Sequence, residues 1–587
     1  MPSVVGLLEQ HERAARRRVD GLREEADRIH AELASAEREW EEWAIARRRV
    51  DAVLAPVGDN AAGPQEFQVP REGESIGVFQ LESPGQKELL GRLQPTTFED
   101  LIAEISLFRP GPVQADMIKP FILGRHGKAP VRYPHPDLEP WLRPTYGVVI
   151  FNEQVAGLFA TMTRSDLAMG EEARRALAKP ERIPALEAWY RQRAAVAGYT
   201  PQAVDEVWDM LKSMGAYGFA KAHAVAFALP TLQSAWLKSH YPAAFTAGLL
   251  EHDPGMYPKR FVLNDARRRG VPILPLDVQH SAAQYRTELD PDGRLGIRIS
   301  LADVHGISQE QAQRIADSRP YSDIGDFWVR ARPSLPIAER LARIGALDSL
   351  APGIARRDLL LQLDELHRQH ASAAIPEQMV LTAVTAPTGA TGLPEMTPLD
   401  QMQAELEVIG MDASRHLMEP YHPLLAELGV TPAHRLKEVP TGETVLVAGA
   451  KIAIQTPPMK SGRRTIFVCL DDGSQGGQID LAYFDDTHDQ AAYPLFHTFV
   501  LLARGTVSRR GKSATIVGSR AWSLVEVAEA HRAGGTAAVR RLLADQQPGD
   551  LEAASPTAVA GPDTPSVPAR NRVGAGRLFH ASQGSAG

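Results

Sequence analysis

The chain has 587 residues, with 64 Lys and Arg against 72 Asp and Glu and a formal net charge of −8. That length exceeds the roughly 250–300 residues that a single core fills, so several domains are expected. The charge excludes a generally basic nucleic-acid coat, although local basic grooves remain open, because phosphate affinity depends on where Lys and Arg cluster. No apolar run reaches the roughly 18 residues of a membrane span, and the charged opening VVGLLEQHERAARRR lacks a signal-peptide core, so no membrane association is expected. Cys469 is the one cysteine, which excludes an internal disulfide and a cysteine-cluster metal site. The chain reads as cytoplasmic.

Residues 1–55 read as a heptad helix. Val19, Leu22, Ala26, Ile29, Leu33, Ala36, Trp40 and Trp43 recur at spacings of three and four, with Arg, Glu and Asp between them. Such a seam suits a helix folded on its own chain, a coiled-coil dimer or a docking helix for another protein. Residues 56–75 read as a linker, marked by APVGDNAAGPQ. From Arg71 to about His252 the pattern is predominantly helical, and Pro110-Gly111-Pro112 fixes a rigid bend after Arg109. Leu250–Arg286 reads as a helix followed by the apolar strand VPILPLDV, and 298–350 as helical again. Residues 351–400 grade into a loop rich in Ala, Thr, Pro and Gly. Between Thr444 and Leu524 five short alternating runs predict a small antiparallel barrel, for which the oligonucleotide-binding (OB) fold is the natural candidate. The last sixty residues, low in aromatics, read as mostly disordered.

Five motifs then stand in order: GVFQLES, LFRPGP, PTYGVVIFNEQV, ARRALAK and GFAKAHAVAFALPTLQSAWLKSHYPAAF. Together they resemble the fingers region of the bacterial C-family DNA polymerases, the DNA polymerase III alpha subunits, with the nearest likeness to the error-prone branch. The resemblance implies a multidomain, mainly α architecture. It comprises polymerase fingers at 76–290, a helix-hairpin-helix region at 291–370, a linker and helical connection at 371–440, an OB barrel at 441–526 and a tail at 527–587. It also implies a role in DNA synthesis during replication or translesion repair. The family places its three palm aspartates, in P-D-x-D-x-D and F-D-F-L-G segments, upstream of GVFQLES. Residues 1–75 contain neither segment, so no catalytic residue is assigned and the chain is expected to be inactive alone. Mg²⁺ is expected only where another chain supplies the palm.

The candidate nucleotide-binding residues are Arg109, Arg174, Arg175, Lys179, Lys221 and His223. Arg175 and Lys179 are four apart and share a helix face, and fixed cations suit the charge that builds on a triphosphate. A solvated basic face paired with Glu171 and Glu172 is the plain alternative. By resemblance RRAxxK is where the fingers meet the triphosphate, though Ala178-Lys179-Pro180 replaces the usual Gly-Lys-Lys. Arg109 either grips a phosphate or braces its turn. Tyr217 and Phe219 are stacking candidates beside Lys221 and His223. The candidate DNA-binding residues are Gly306, in a hairpin turn whose N–H groups would meet a phosphate, and the barrel residues Lys460, Arg463, Arg464, Arg509, Arg510 and Lys512. Phe467, Tyr483 and Phe484 are available to stack on bases or to fill the barrel core. Expected partners are primer-template and single-stranded DNA, a sliding clamp through Gln378-Met379-Val380-Leu381, other repair polymerase components, and a palm-bearing chain or a second copy through the 19–43 helix. The acidic pairs Asp290/Asp292, Asp471/Asp472 and Asp485/Asp486 lack the palm context. A non-catalytic DNA-binding or partner-binding remnant is the competing reading.

Overall fold

The computed structural model describes residues 75–108, 117–214, 219–253, 256–373, 393–456, 464–510 and 513–545, all within one compact unit, Gln68–Gly587. The heptad helix, the clamp peptide, Arg109, Tyr217, Lys460, Arg463 and Lys512 lie outside the described residues.

The first part is helical: α1 (Pro84–Leu93), α2 (Phe98–Leu107), α3 (Ile118–Arg125), α4 (Asn152–Thr163), α5 (Leu167–Leu177), α6 (Ile183–Val196), α7 (Pro201–Ser213) and α8 (Lys221–His240). Helix α2 starts in a capping box, where the Thr97 hydroxyl accepts from the Asp100 N–H and the Asp100 carboxylate accepts from the Thr97 N–H. Ala224, Ala228, Thr231 and Ala235, spaced by three and four, form the buried small-residue face of α8. Helices α4 and α5 approach so closely that a Cβ on Gly170 would lie 2.2 Å from the Ala156 carbonyl oxygen. The Gln154 amide fixes the entry to α4: its oxygen accepts from the N–H groups of Ile150 and Phe151, and its nitrogen donates to Trp141 O and Thr145 Oγ1.

Helices α9 (Pro242–His252) and α10 (Lys259–Arg268) follow, then a small sheet of β1 (Ile273–Leu274), β2 (Arg286–Leu289) and β3 (Leu295–Arg298), in the order β1-β3-β2. The strand expected over VPILPLDV is corrected here: after the helix α10 only Ile273–Leu274 pairs, in parallel with β3, because Pro272 and Pro275 on either side lack the N–H that a ladder needs. Helices α11 (Gln309–Asp317), α12 (Ile324–Ala331), α13 (Leu335–Arg343) and α14 (Arg356–Ala373) come next. The last corrects the loop expected from 351. Leu359, Leu363 and Leu366, at spacings of four and three, are buried in the main core.

After α15 (Pro398–Ile409) and α16 (His422–Glu427), strands β4 (Thr444–Gln455), β5 (Ile466–Asp471), β6 (Gln478–Tyr483), β7 (Val500–Arg510) and β8 (Ser513–Ser523) close a barrel in the order β4-β5-β6-β8-β7. Every pairing is antiparallel except β6 with β8. Helix α17 (His488–His497) links β6 to β7. This closed five-strand barrel is consistent with an OB-like fold. Helix α18 (Leu524–Asp545), kinked at Gly534 and Gly535, occupies the first part of the tail expected to be disordered, and its Val527 and Val539 are buried against the barrel residues Leu502 and Trp522.

Helix α10 joins these parts. Arg260 donates to the Lys451 carbonyl of β4 and lies over the Phe499 ring, 4.5 Å from its centroid. Arg267 donates to the carbonyls of Asp412 and Ala413. Arg268 reaches Asp471 at 3.3 Å. Ile452 and Cys469 of the barrel share one apolar core with Phe261 and Leu263 of the same helix.

Candidate nucleotide and nucleic-acid interface

The structure gathers three of the candidate nucleotide contacts around the start of α4. Phe151 pairs with Phe219 in an isolated parallel bridge, and the Asn152 N–H donates to Phe219 O. That pairing sets the N-terminus of α8 beside that of α4. The Lys221 N–H donates to both Glu153 carboxylate oxygens at 2.9 Å, and the Lys221 ammonium lies 5.9 Å from the Phe151 ring centroid. The His223 ring packs between those of Phe219 and Phe227, at 5.2 and 4.2 Å. From α5, Arg174 Nη1 reaches Asn152 Oδ1 at 3.4 Å.

Arg175 and Lys179 sit farther out, where Ala168, Glu171, Glu172, Arg175, Ala176, Lys179 and Arg182 line an open depression. Sequence reasoning did not single out Arg182. Glu171 holds both arginines. Its carboxylate accepts from Arg174 Nε and Nη2, at 2.7 and 2.8 Å, and from Arg175 Nε at 3.0 Å. These bonds, Arg174's first, hold its pKa down at about 2. Part of the plain alternative is therefore present: two of the cations carry a carboxylate partner.

Gly306 adopts φ +81°, ahead of the Ser308 cap of α11. A Cβ there would lie 2.8 Å from Arg340 Nη1, which donates to the His305 carbonyl at 2.7 Å. The hairpin turn thus has its glycine for the left-handed backbone it adopts, since the Arg340 guanidinium could swing clear of a Cβ.

On the barrel the candidates divide. Arg464 is exposed. Arg509 donates to the carbonyls of Leu436, Lys437 and Val439, so it braces the 436–439 segment against β7. Tyr483 is fully buried, with its hydroxyl donating to Arg520 O, whereas Phe467 and Phe484 are 38% and 47% exposed.

Two of the three acidic pairs carry carboxylates held by protein partners. Asp471 is buried between Arg268 and His416, and Asp472 accepts from the N–H groups of Ala433 and Ser474. Asp290 closes its own turn by accepting from the N–H groups of Asp292 and Arg294. Among the described residues no group of three His, Cys, Asp or Glu side chains comes together as a metal site.

A family model described as the bacterial DNA polymerase III alpha subunit finger domain matches residues 59–198, and a helix-hairpin-helix motif matches 270–359. The error-prone DNA polymerase of Symbiobacterium thermophilum is 32% identical over 518 residues, covering 80% of this chain and 47% of its own length. That of Nocardia farcinica is 36% identical over 420 residues, covering 70% and 36%, and that of Anaeromyxobacter dehalogenans 31% over 473 residues, covering 78% and 40%. These matches fit a fragment of a C-family bacterial DNA polymerase. It spans less than half the length of these relatives. The C-family finger match contains Arg174, Arg175 and Lys179, while Lys221 and His223 lie beyond its end. Gly306 falls within the helix-hairpin-helix match. Among the described residues no helix is long and apolar enough to cross a membrane.

Proposed function

We propose that these 587 residues are the DNA- and nucleotide-handling part of an error-prone DNA polymerase III alpha-like protein, acting in replication or translesion repair, and that they do not extend a primer by themselves. The observation that carries the reading is the meeting of Arg174, Lys221 and His223 around the start of α4. These groups would bind a triphosphate electrostatically. The Gly306 turn and the exposed Phe467, Phe484 and Arg464 would hold DNA backbone and bases. The carboxylates that hold Mg²⁺ would come from a palm outside these residues. A sliding clamp and other repair components are further proposed partners, and the front helix is proposed to recruit a partner chain.

The test is equilibrium binding of a fluorescent deoxynucleoside triphosphate and of single-stranded DNA across a salt series. Arg174→Ala and Lys221→Ala are expected to weaken triphosphate binding several-fold. Arg464→Ala is expected to flatten the slope of log K against log salt by about 0.7 for single strands. Triphosphate binding that neither variant changes would remove the nucleotide reading and leave the competing one, a DNA-binding remnant.

A further inference from the structure

The sequence leaves Arg174, Arg175 and Lys179 either open to phosphate or paired with Glu171 and Glu172, and the structure gives two of them Glu171 as a partner. Arg174 presents its planar fork to Glu171 through two parallel N–H···O bonds of 2.7 and 2.8 Å, and Arg175 adds a third at 3.0 Å. The fork geometry that matches a carboxylate also matches a phosphate. A ligand phosphate and the Glu171 carboxylate therefore compete for the same N–H groups. Arg175 is 74% exposed, Glu171 35% and Arg174 25%. The exposed Arg175 pair is weak enough to be exchanged, and a phosphate offers Arg174 the same two-bond geometry that Glu171 gives it.

Resting on the nucleotide reading above, we propose that Glu171 is a resident counter-anion that only a polyphosphate displaces, with Arg182 as a further cation of the same seat. The charges lining the depression make this selective. Arg175, Lys179 and Arg182 face Glu171 and Glu172 there, with Arg174 behind Glu171. A single phosphate gains little by replacing a carboxylate that is already bidentate. A di- or triphosphate carries enough charge to take the arginines and to reach Lys179 and Arg182 as well. Glu171 then acts as a specificity residue, separating polyphosphate ligands from orthophosphate. Because Glu171 sits on α5 one turn before both arginines, its release leaves the helix intact.

The test uses the full chain and three probes: a fluorescent deoxynucleoside triphosphate, pyrophosphate and inorganic phosphate, the last two as competitors. Glu171→Gln keeps the shape but cannot hold the arginines as ions. It is expected to tighten triphosphate binding about three- to tenfold at low salt, and to tighten orthophosphate binding by a larger factor, so that selectivity between them shrinks. Glu172→Gln, at an exposed neighbour, is expected to change binding less than about twofold, and Arg182→Ala to weaken triphosphate binding about threefold. Unchanged or weaker triphosphate binding in a Glu171→Gln protein that melts like the parent would overturn the proposal, since Glu171 would then be holding the arginines in place for the ligand. An Arg182→Ala protein that binds as the parent does would remove Arg182 from the seat. If Arg174→Ala and Lys221→Ala both leave triphosphate binding unchanged, the nucleotide reading itself fails and the gate fails with it. If Arg174→Ala weakens binding and Glu171→Gln has no effect, only the gate fails.

Discussion

Arg174 and Arg509 are both arginines beside a candidate ligand surface, and their neighbours separate them. Arg174 meets the Glu171 carboxylate, whereas Arg509 meets three backbone carbonyls that must be satisfied for the 436–439 segment to hold its place. Arg509→Ala is expected to lower stability by about 1 kcal/mol and to leave single-stranded DNA affinity unchanged, as read by a urea melt beside an anisotropy titration. A second residue carries a pH signature. Lys87 is buried, its ammonium donates to Gln478 Oε1 at 2.8 Å, and it lies 4.7 Å from the Tyr257 ring centroid. Burial pushes its pKa down to about 8, with Asp480 pulling the other way. The free side chain titrates at 10.5, so between about 8 and 10.5 the unfolded chain binds a proton that the folded chain does not. Stability contributed by this position therefore rises with pH across that window. Relative to Lys87→Met, the parent is expected to gain roughly 1–2 kcal/mol between pH 7.5 and 9.5 in urea melts. A gap that stays constant or moves the other way would place Lys87 in water.

At the scale of elements, α10 was the least legible part of the sequence. KRFVLNDARRR reads only as a helix, yet Arg260 is 5% exposed and Arg268 reaches a fully buried aspartate. Burial alone would raise the pKa of Asp471, but His416 and Arg268 hold it below the ordinary carboxylate value. The sequence carried no sign of these pairings, because each partner lies more than a hundred residues away. Arg268→Ala leaves Asp471 with His416, the Gly473 N–H and the Asn264 amide, and is expected to cost about 3 kcal/mol, with a matching fall in the urea midpoint and intact helix content by circular dichroism. The barrel is the opposite case. Its five strands were legible because each run alternates and ends at turn residues, so local pattern and global pairing agree. Helix α14 was obscured by the Ala, Thr and Pro-rich stretch that follows it, although its own leucines have helical spacing. The candidate site was half legible. RRAxxK identified the cations and Glu171 as a pairing residue, but the three bonds Glu171 makes, and Arg182, emerge only when α5 and the turn after it are placed in space.

The whole molecule joins a helical finger region to a helix-hairpin-helix region and a closed barrel, with α10 tying the barrel to the rest. Asp471 serves an interior ion pair, and Asp290 and Asp472 accept from backbone N–H groups of turns. The proposed division of labour, phosphate and DNA binding here and carboxylates elsewhere, makes an uneven demand on one preparation. The same sample must bind primer-template DNA and fail to lengthen it. The direct measurement is primer extension by the purified full chain with Mg²⁺ and all four deoxynucleoside triphosphates, at protein concentrations where anisotropy shows the primer-template bound. The account predicts bound DNA and no added nucleotide. Template-directed extension that co-purifies with the chain and disappears in Arg174→Ala would contradict it.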